Sequence, residues 1–229
     1  MSADGRTRGR RVVATALVGL AACAGPLSDQ QAKEQPAAPA AEDKAEEALA
    51  GRGALEQAVE GIPAALAALR SSEEARKFGS IKGIASLLAP LPLPLQNGEV
   101  SAIPATPGLE AALRRAHGRW VAEGRRPLPH EQFQGVLQLL NRYVQRVKLA
   151  GGGPYVRFSK TDSKGSFAFD NLPAGRWVLA TDLSSPISAI LWALPGAVHD
   201  GSQVRVLLSE DNVLLEGLKR AAPEGEKAP

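Results

Sequence analysis

The first folded stretch of the chain carries its hydrophobic residues at helical spacing. Between residues 55 and 69 the apolar positions recur every three or four residues, which places them on one face of a helix. Gly61 and Pro63 interrupt this stripe, so it predicts two short helices or one kinked helix. A second apolar stripe over 78–88 is interpreted as a further helix, although glycines weaken it.

A third helix is predicted by its start signal. Thr106-Pro107 combines an N-cap residue with a proline at the first helical position, and the predicted helix ends near Gly124. Five arginines cluster along or just after this helix and indicate either a solvated face or a contact with anionic lipid. These arginines are Arg114, Arg115, Arg119, Arg125 and Arg126.

From about residue 133 the pattern changes to short alternating or β-branched segments separated by turn residues. Strands spaced roughly 8–12 residues apart are typical of an antiparallel β-sandwich. The segments interpreted as strands are FQGVLQLL, YVQRVKLAG, YVRFSKT, GSFAFDNL, GRWVLATDL, SQVRVLL and NVLLEGL. The fold class predicted for the whole chain is therefore α+β, with a C-terminal antiparallel β-sandwich preceded by a short helical region.

Turn residues fix the register of two strands in this segment. Residues 161–165 and 171–175 carry the Gly, Pro, Asn and Asp typical of tight turns. Side chains alternate between the two faces of a strand. Phe167 and Phe169, between the two turns, therefore share one strand face, and Trp177 and Leu179, after the second turn, share another.

The N-terminus has the layout of a secretory signal. Residues 1–11 carry four arginines, and residues 12–22 form an apolar run that Cys23 closes. Eleven residues extend only about 16 Å as a helix, which is too short to span a bilayer. Residues 20–23, Leu-Ala-Ala-Cys, resemble the lipobox of bacterial lipoproteins.

The lipobox resemblance implies a membrane anchor. It implies acylation of the Cys23 thiol by diacylglycerol, cleavage after Ala22 and lipidation of the new amino group, so the implied partner is membrane lipid. In proteobacterial lipoproteins an aspartate after the cysteine favours the inner membrane. Ala24 stands there in this chain, which implies the outer membrane of the cell envelope.

Charge and composition exclude several other classes of protein. The formal net charge of +3 comes entirely from residues 1–22, and the rest of the chain has equal numbers of basic and acidic residues. We therefore expect no nucleic-acid partner. The single cysteine excludes an intramolecular disulfide framework and a multi-cysteine metal site. Residues 24–50 are rich in Ala, Pro, Gln and charge, which predicts a disordered tether.

The segment TDSKGSFAFDNLPAGRWVL, residues 161–179, resembles the core of the carboxypeptidase regulatory-like domain. That resemblance implies a transthyretin-like sandwich grouped with carbohydrate-binding-like folds, with upstream strands at Gly135-Val136 and at 144–149. Lys164 replaces an acid often found in the first turn, and residues 183–197 do not align. The matching residues are Thr161, Asp162, Gly165, Phe167, Phe169, Leu172, Pro173, Gly175 and Trp177.

Catalytic patterns are incomplete in this sequence. His130-Glu131 resembles the start of a zinc protease motif, but Gln134 stands where its second histidine is required. We expect no catalytic residue, no metal and no cofactor, so the protein is not expected to be an enzyme. Trp177 and Trp192 are the candidates for a ligand or partner contact, with core packing as the alternative for each.

These observations predict five segments and leave three functions open. The leading function is an envelope lipoprotein that presents a non-catalytic interaction or structural module. The alternatives are a carbohydrate-binding module and an accessory subunit of an envelope enzyme, so an envelope protein or a glycan is the expected partner. The predicted segments are a signal peptide (1–22), a lipidated tether (23–50), a helical region (51–128), the sandwich (129–218) and a flexible tail (219–229).

Overall fold

The computed structural model describes residues 49–51, 53–87, 93–185 and 188–219. The predicted signal peptide, Cys23 and nearly all of the tether and tail therefore lie outside the described residues.

Between residues 53 and 147 of the described chain, four α-helices form, and the clearest start and stop signals in the sequence mark three of them. Gly61 ends the first helix and precedes the second, as the interrupted apolar stripe predicts. Thr106 caps the third helix, because its Oγ1 accepts the Leu109 N–H at 3.1 Å, and its hydroxyl donates to the Ala58 carbonyl at 2.8 Å. The helices are α1 (Ala54–Glu60), α2 (Ile62–Glu74), α3 (Pro107–Ala122) and α4 (His130–Val147).

Nine strands form two sheets in the described part of the chain. In the first sheet β2 and β5 pair with one edge of β1 and β8 pairs with the other, while the second sheet has the order β4-β3-β6-β7-β9. All pairs are antiparallel except β1 with β8, which is parallel. The strands are β1 (Phe78–Leu87), β2 (Leu93–Pro94), β3 (Glu99–Pro104), β4 (Arg157–Lys160), β5 (Ser166–Pro173), β6 (Gly175–Ser184), β7 (Ser188–Val198), β8 (Gln203–Leu208) and β9 (Leu215–Leu218).

Strand β6 is buried on both faces, because its sheet is the middle one of three layers: the first sheet, the second sheet and the helices. Trp177 and Leu179 face the first sheet, whereas Ala180 faces α4. The Tyr143 hydroxyl of α4 donates to the Pro104 carbonyl of β3 at 2.8 Å, and Leu69 of α2 packs against the backbone at the start of β6. Helix α4 thus covers one face of the second sheet, the first sheet covers the other, and α2 packs at the end where β6 begins.

The structure confirms the α+β class and the turn predicted over 161–165, whereas the turn predicted over 171–175 is reduced to a bend at Ala174 between β5 and β6. Gly165 adopts a φ of 75° and its N–H donates to the Asp162 carbonyl at 3.0 Å, which closes the turn before β5. Phe167 and Phe169 are both buried on one face of β5, with their ring centroids 6.1 Å apart in an edge arrangement. The alternation in this part of the sequence was sufficient to predict these contacts.

The helix predicted over 78–88 is wrong, because residues 78–87 form strand β1. Ile81 and Ala85 are buried while Lys82 and Ile84 are exposed, which is the alternation of a strand. Gly83 allows the sheet to close, since a Cβ there would lie 2.3 Å from Cζ of Phe167.

The strands predicted at the start of the sandwich are also wrong. Residues 133–147 lie in α4, so the strands that the family resemblance placed at Gly135-Val136 and 144–149 do not form there. Helical spacing of the buried residues explains this outcome, because it places one apolar stripe against the second sheet. The buried residues of α4 are Phe133, Gly135, Val136, Leu139, Leu140, Tyr143 and Val147.

The expected division between helical region and sandwich needs a corresponding correction. The segment 51–128 contains strands β1, β2 and β3, and the segment 129–218 begins with a helix. The 183–197 segment, which did not align with the family, forms the end of β6 and most of β7, and these two strands pair along their full length. Among the described helices, none combines the length and apolar character needed to cross a membrane.

Candidate functional site

Both tryptophans predicted as contact candidates are buried in the core. Trp177 is 0% exposed and its Nε1–H donates to the Pro173 carbonyl at 3.2 Å. Trp192 is 1% exposed and donates to the Ser209 carbonyl at 2.9 Å. The expectation of a ligand or partner contact is therefore corrected for both residues, because both ring faces and both indole N–H groups are occupied by the protein itself.

The groups considered for chemistry are dispersed or have structural roles. Asp162 accepts the backbone N–H groups of Lys164 and Ser166, each at 2.8 Å, and these bonds hold the pKa of its carboxyl below the usual value. It therefore acts as a turn residue. In the described part of the chain no three His, Cys, Asp or Glu residues come together to hold a metal ion. Cys23 lies outside the described residues.

A broad cleft of about 800 Å³ lies on the outer face of the first sheet. Strands β1, β5 and β8 form its floor, and the end of β4 forms one side. The hydroxyl of Ser159 on β4 accepts the Ala168 N–H of β5 at 3.3 Å, which joins the two sheets at this corner. This cleft is the candidate site because it combines an open sheet face with polar and charged side chains.

Strand register brings residues distant in sequence into rows across the cleft floor. Lys82 on β1 lies opposite Ala168 of β5 on one side and Arg205 of β8 on the other. In the next row Ile84 lies opposite Leu207, and these side chains are 47% and 51% exposed. The outer face of the first sheet therefore presents a basic row beside an apolar row, and Ile84 of the apolar row also lines the cleft.

The electrostatic character of the cleft is positive. Lys82, Lys160 and Arg205 line it and are exposed, whereas Asp162 is the one acidic residue among the described lining residues. The charge of Asp162 is already directed toward two backbone N–H groups. Three cations around one cleft therefore favour an anionic ligand.

A second groove of about 310 Å³ lies between α4 and the second sheet. Phe158 at its rim is 54% exposed, and the Nζ of Lys148 lies 5.9 Å from the centre of its ring. Glu99 and Asp182 also line the groove, so its charges are mixed. It offers less charge selectivity than the cleft on the first sheet.

The arginine cluster near α3 is partly used for structure. Arg115 donates to the Ala50 carbonyl at 2.8 Å and to Oε1 of Gln57 at 3.2 Å. Arg114 lies 3.6 Å from the carboxylate of Glu110 on the same helix. These contacts favour the interpretation as a structural helix face over contact with anionic lipid.

The cationic cleft was not found by sequence analysis. The strand SQVRVLL was predicted without assigning its exposed face, and Lys82 was interpreted as part of a helix. Only the pairing of β1 with β8 brings Lys82 and Arg205 side by side.

No family model matches the chain, and no curated protein matches it at a significant level. A solved structure from Pseudomonas aeruginosa, described as that of a "putative carbohydrate binding protein", is similar with a TM-score of 0.32 and 22% sequence identity. The similarity covers 58% of this chain and 89% of that chain.

Proposed function

We propose that the protein is a lipid-anchored, non-catalytic interaction module that binds an acidic protein partner at the bacterial envelope. The observation that carries this proposal is the cationic cleft on the uncovered face of the first sheet, lined by Lys82, Lys160 and Arg205.

The shape of the cleft supports binding of an extended partner. It is open and broad, about 800 Å³, and its floor is a rigid sheet. Exposed charges on such a surface steer an oppositely charged partner and fix its orientation. The apolar pair Ile84 and Leu207 supplies adjoining surface that a partner would remove from water.

A protein partner is favoured over a glycan by the position of the tryptophans. Trp120, Trp177 and Trp192 are at most 4% exposed, so these indoles are unsuitable as stacking platforms for sugar rings. An acidic glycan remains a defined outcome of the binding experiment below.

The anchor proposal rests on the sequence around Cys23. Two or three acyl chains on this residue would hold the protein firmly at the membrane, since each buried CH₂ contributes about 0.8 kcal/mol. Replacing Cys23 with Ser should move the protein from the membrane fraction to the soluble fraction and abolish acyl labelling. A Cys23→Ser protein that still sediments with membranes would refute the anchor.

The cleft is tested by reversing its charge. The Lys82→Glu/Lys160→Glu double variant should bind poly-L-glutamate at least roughly tenfold more weakly than the unchanged protein, because two favourable charges become repulsive. The Lys77→Glu/Lys219→Glu double variant is the matched control, since both lysines are exposed and neither lines the cleft. Equal binding by all three proteins would overturn the cleft proposal. Preference for polygalacturonate over poly-L-glutamate would favour the glycan alternative.

A further inference from the structure

Strand β8 presents an open backbone edge. Among the described strands it pairs with β1 alone. The Ser202 carbonyl accepts the Ser80 N–H of β1 at 2.9 Å, so the alternate residues that follow in β8 also direct their backbone groups toward β1. The N–H and C=O groups of Gln203, Arg205 and Leu207 therefore point to the opposite edge.

One hydrogen bond confirms this orientation. The side-chain amide of Asn212 donates to the Leu207 carbonyl at 2.5 Å from the side away from β1. Asn212 therefore occupies the Leu207 carbonyl at the C-terminal end of the edge. The backbone N–H and C=O groups of Gln203 and Arg205 precede it along the same edge. An exposed strand edge is a template for pairing with another extended segment.

An apolar slot of about 270 Å³ runs beside this edge. Leu194, Val204 and Val206 form its half-buried walls, and Trp177 lies below at 0% exposure. Gly196 pairs with Trp177 across the strands, so a side chain at position 196 would share the face of Trp177.

Gly196 explains why the slot is open. A Cβ built at this position would have no neighbouring atom within 4 Å. The slot therefore has room for an apolar side chain that this chain does not itself supply at position 196.

The positive charges beside the β8 edge favour an added strand that carries acidic residues. Arg205 lines both the slot and the cationic cleft, so it lies between the apolar and the basic surface. A second copy paired antiparallel through β8 about this residue would bring two arginines side by side, which is unfavourable. An acidic residue on the added strand would instead face Arg205 and Lys82.

We propose that β8 binds a partner by strand addition, and that the added segment alternates apolar with acidic residues. Its apolar side chain fills the slot beside Gly196, and its acidic side chains lie over the basic row of the first sheet. This inference rests on the proposed function, because it defines how the acidic partner is held.

Amide hydrogen exchange of the full chain tests the proposal directly. The probe is the synthetic peptide Asp-Val-Asp-Leu-Asp-Val-Asp, with the same peptide carrying Lys in place of Asp as its control. The acidic peptide should slow exchange at the Arg205 and Leu207 amides and leave Val206, whose N–H faces β1, unchanged. The basic peptide should slow none of the three.

Two variants separate the edge and the slot from the charge. Arg205→Pro removes an edge N–H without removing a bond to β1, whereas Arg205→Gln removes only the charge. We expect roughly tenfold weaker peptide binding for Arg205→Pro and roughly threefold for Arg205→Gln. Gly196→Leu should fill the slot and weaken binding roughly tenfold while keeping or raising the unfolding temperature.

Three results would overturn strand addition. These are unchanged exchange at Arg205 and Leu207 on adding the acidic peptide, equal binding by Arg205→Pro and Arg205→Gln, and concentration-dependent protection of these amides without peptide, which would indicate a second copy. Poly-L-glutamate binding that depends on Lys82 and Lys160 would still support the proposed function in any of these cases.

Discussion

The guanidinium of Arg176 on β6 donates two hydrogen bonds to the buried carboxylate of Glu110 on α3. The Arg176 Nε donates to Oε1 at 2.8 Å, and the second nitrogen donates to Oε2 at 2.5 Å. The side chain of Glu110 is 3% exposed while that of Arg176 is 61% exposed. The pair is therefore asymmetric, since only the acid depends on its partner for solvation.

This asymmetry predicts which substitution costs more stability. Arg176→Ala leaves a buried carboxylate with only Arg114 at 3.6 Å and should lower the free energy of unfolding by about 2 kcal/mol. Glu110→Gln leaves an arginine that water can solvate and should cost about 1 kcal/mol. Urea unfolding of the two variants, with Arg114→Ala as the control, gives the order. A larger loss for Glu110→Gln would contradict this account.

Alkaline stability should depend on Tyr143. Burial raises the pKa of its hydroxyl to about 12 from the ordinary value of 10.0. The unfolded chain therefore loses this proton first, and a stabilisation present in full below pH 10 is lost as the pH rises from about 10 to about 12. The loss amounts to about 3 kcal/mol, since each pKa unit corresponds to about 1.4 kcal/mol.

The control for this pH dependence is Tyr143→Phe. It removes the hydrogen bond to Pro104, which should cost about 1 kcal/mol at neutral pH. It should also flatten the decline between pH 10 and 12 in chemical unfolding experiments. Tyr155, whose pKa is raised by burial and by its bond to Glu73, keeps a residual slope in this variant. An unchanged slope in Tyr143→Phe would show that Tyr143 is not the titrating group.

Two glycines should respond to alanine in opposite directions. A Cβ at Gly83 would lie 2.3 Å from the Phe167 ring and 2.8 Å from the Val206 carbonyl, so Gly83→Ala should destabilise the protein by about 1–3 kcal/mol. A Cβ at Gly118, inside α3, would meet nothing within 4 Å. Gly118→Ala should stabilise by about 0.5–1 kcal/mol. Thermal unfolding of both variants measures the contrast, and shifts of the same sign would refute it.

Sequence signals that span only a few residues correctly predicted a helix cap, a helix break and a turn. The Thr106 cap, the break at Gly61 and the turn at Gly165 each depend on a few adjacent residues, and each forms as expected. The helix predicted over 78–88 was wrong because the spacing of apolar residues and glycines in this segment fits both a helix and a strand. Their conformation is decided by β5 and β8, which pair with them from remote positions.

The candidate site was harder to predict for the same reason. Lys82, Lys160 and Arg205 lie on three strands that are far apart in sequence, and none of them belongs to a recognisable motif. The tryptophans attracted attention because large aromatic residues often mark binding sites, but in a sandwich they also fill the space between sheets. The burial of Trp177 on β6 and of Trp192 on β7 decides between these roles.

The parallel pairing of β1 with β8 has a consequence for biogenesis. Ser80 lies opposite Gln203, so β1 gains one of its two neighbours only after the long intervening segment up to β8 has been translated. The first sheet is therefore still incomplete while the segments between β1 and β8 are being made, because contacts of such long sequence separation form late. Closure of that sheet also builds the floor of the candidate cleft, so the cleft itself is among the last features of the fold to form.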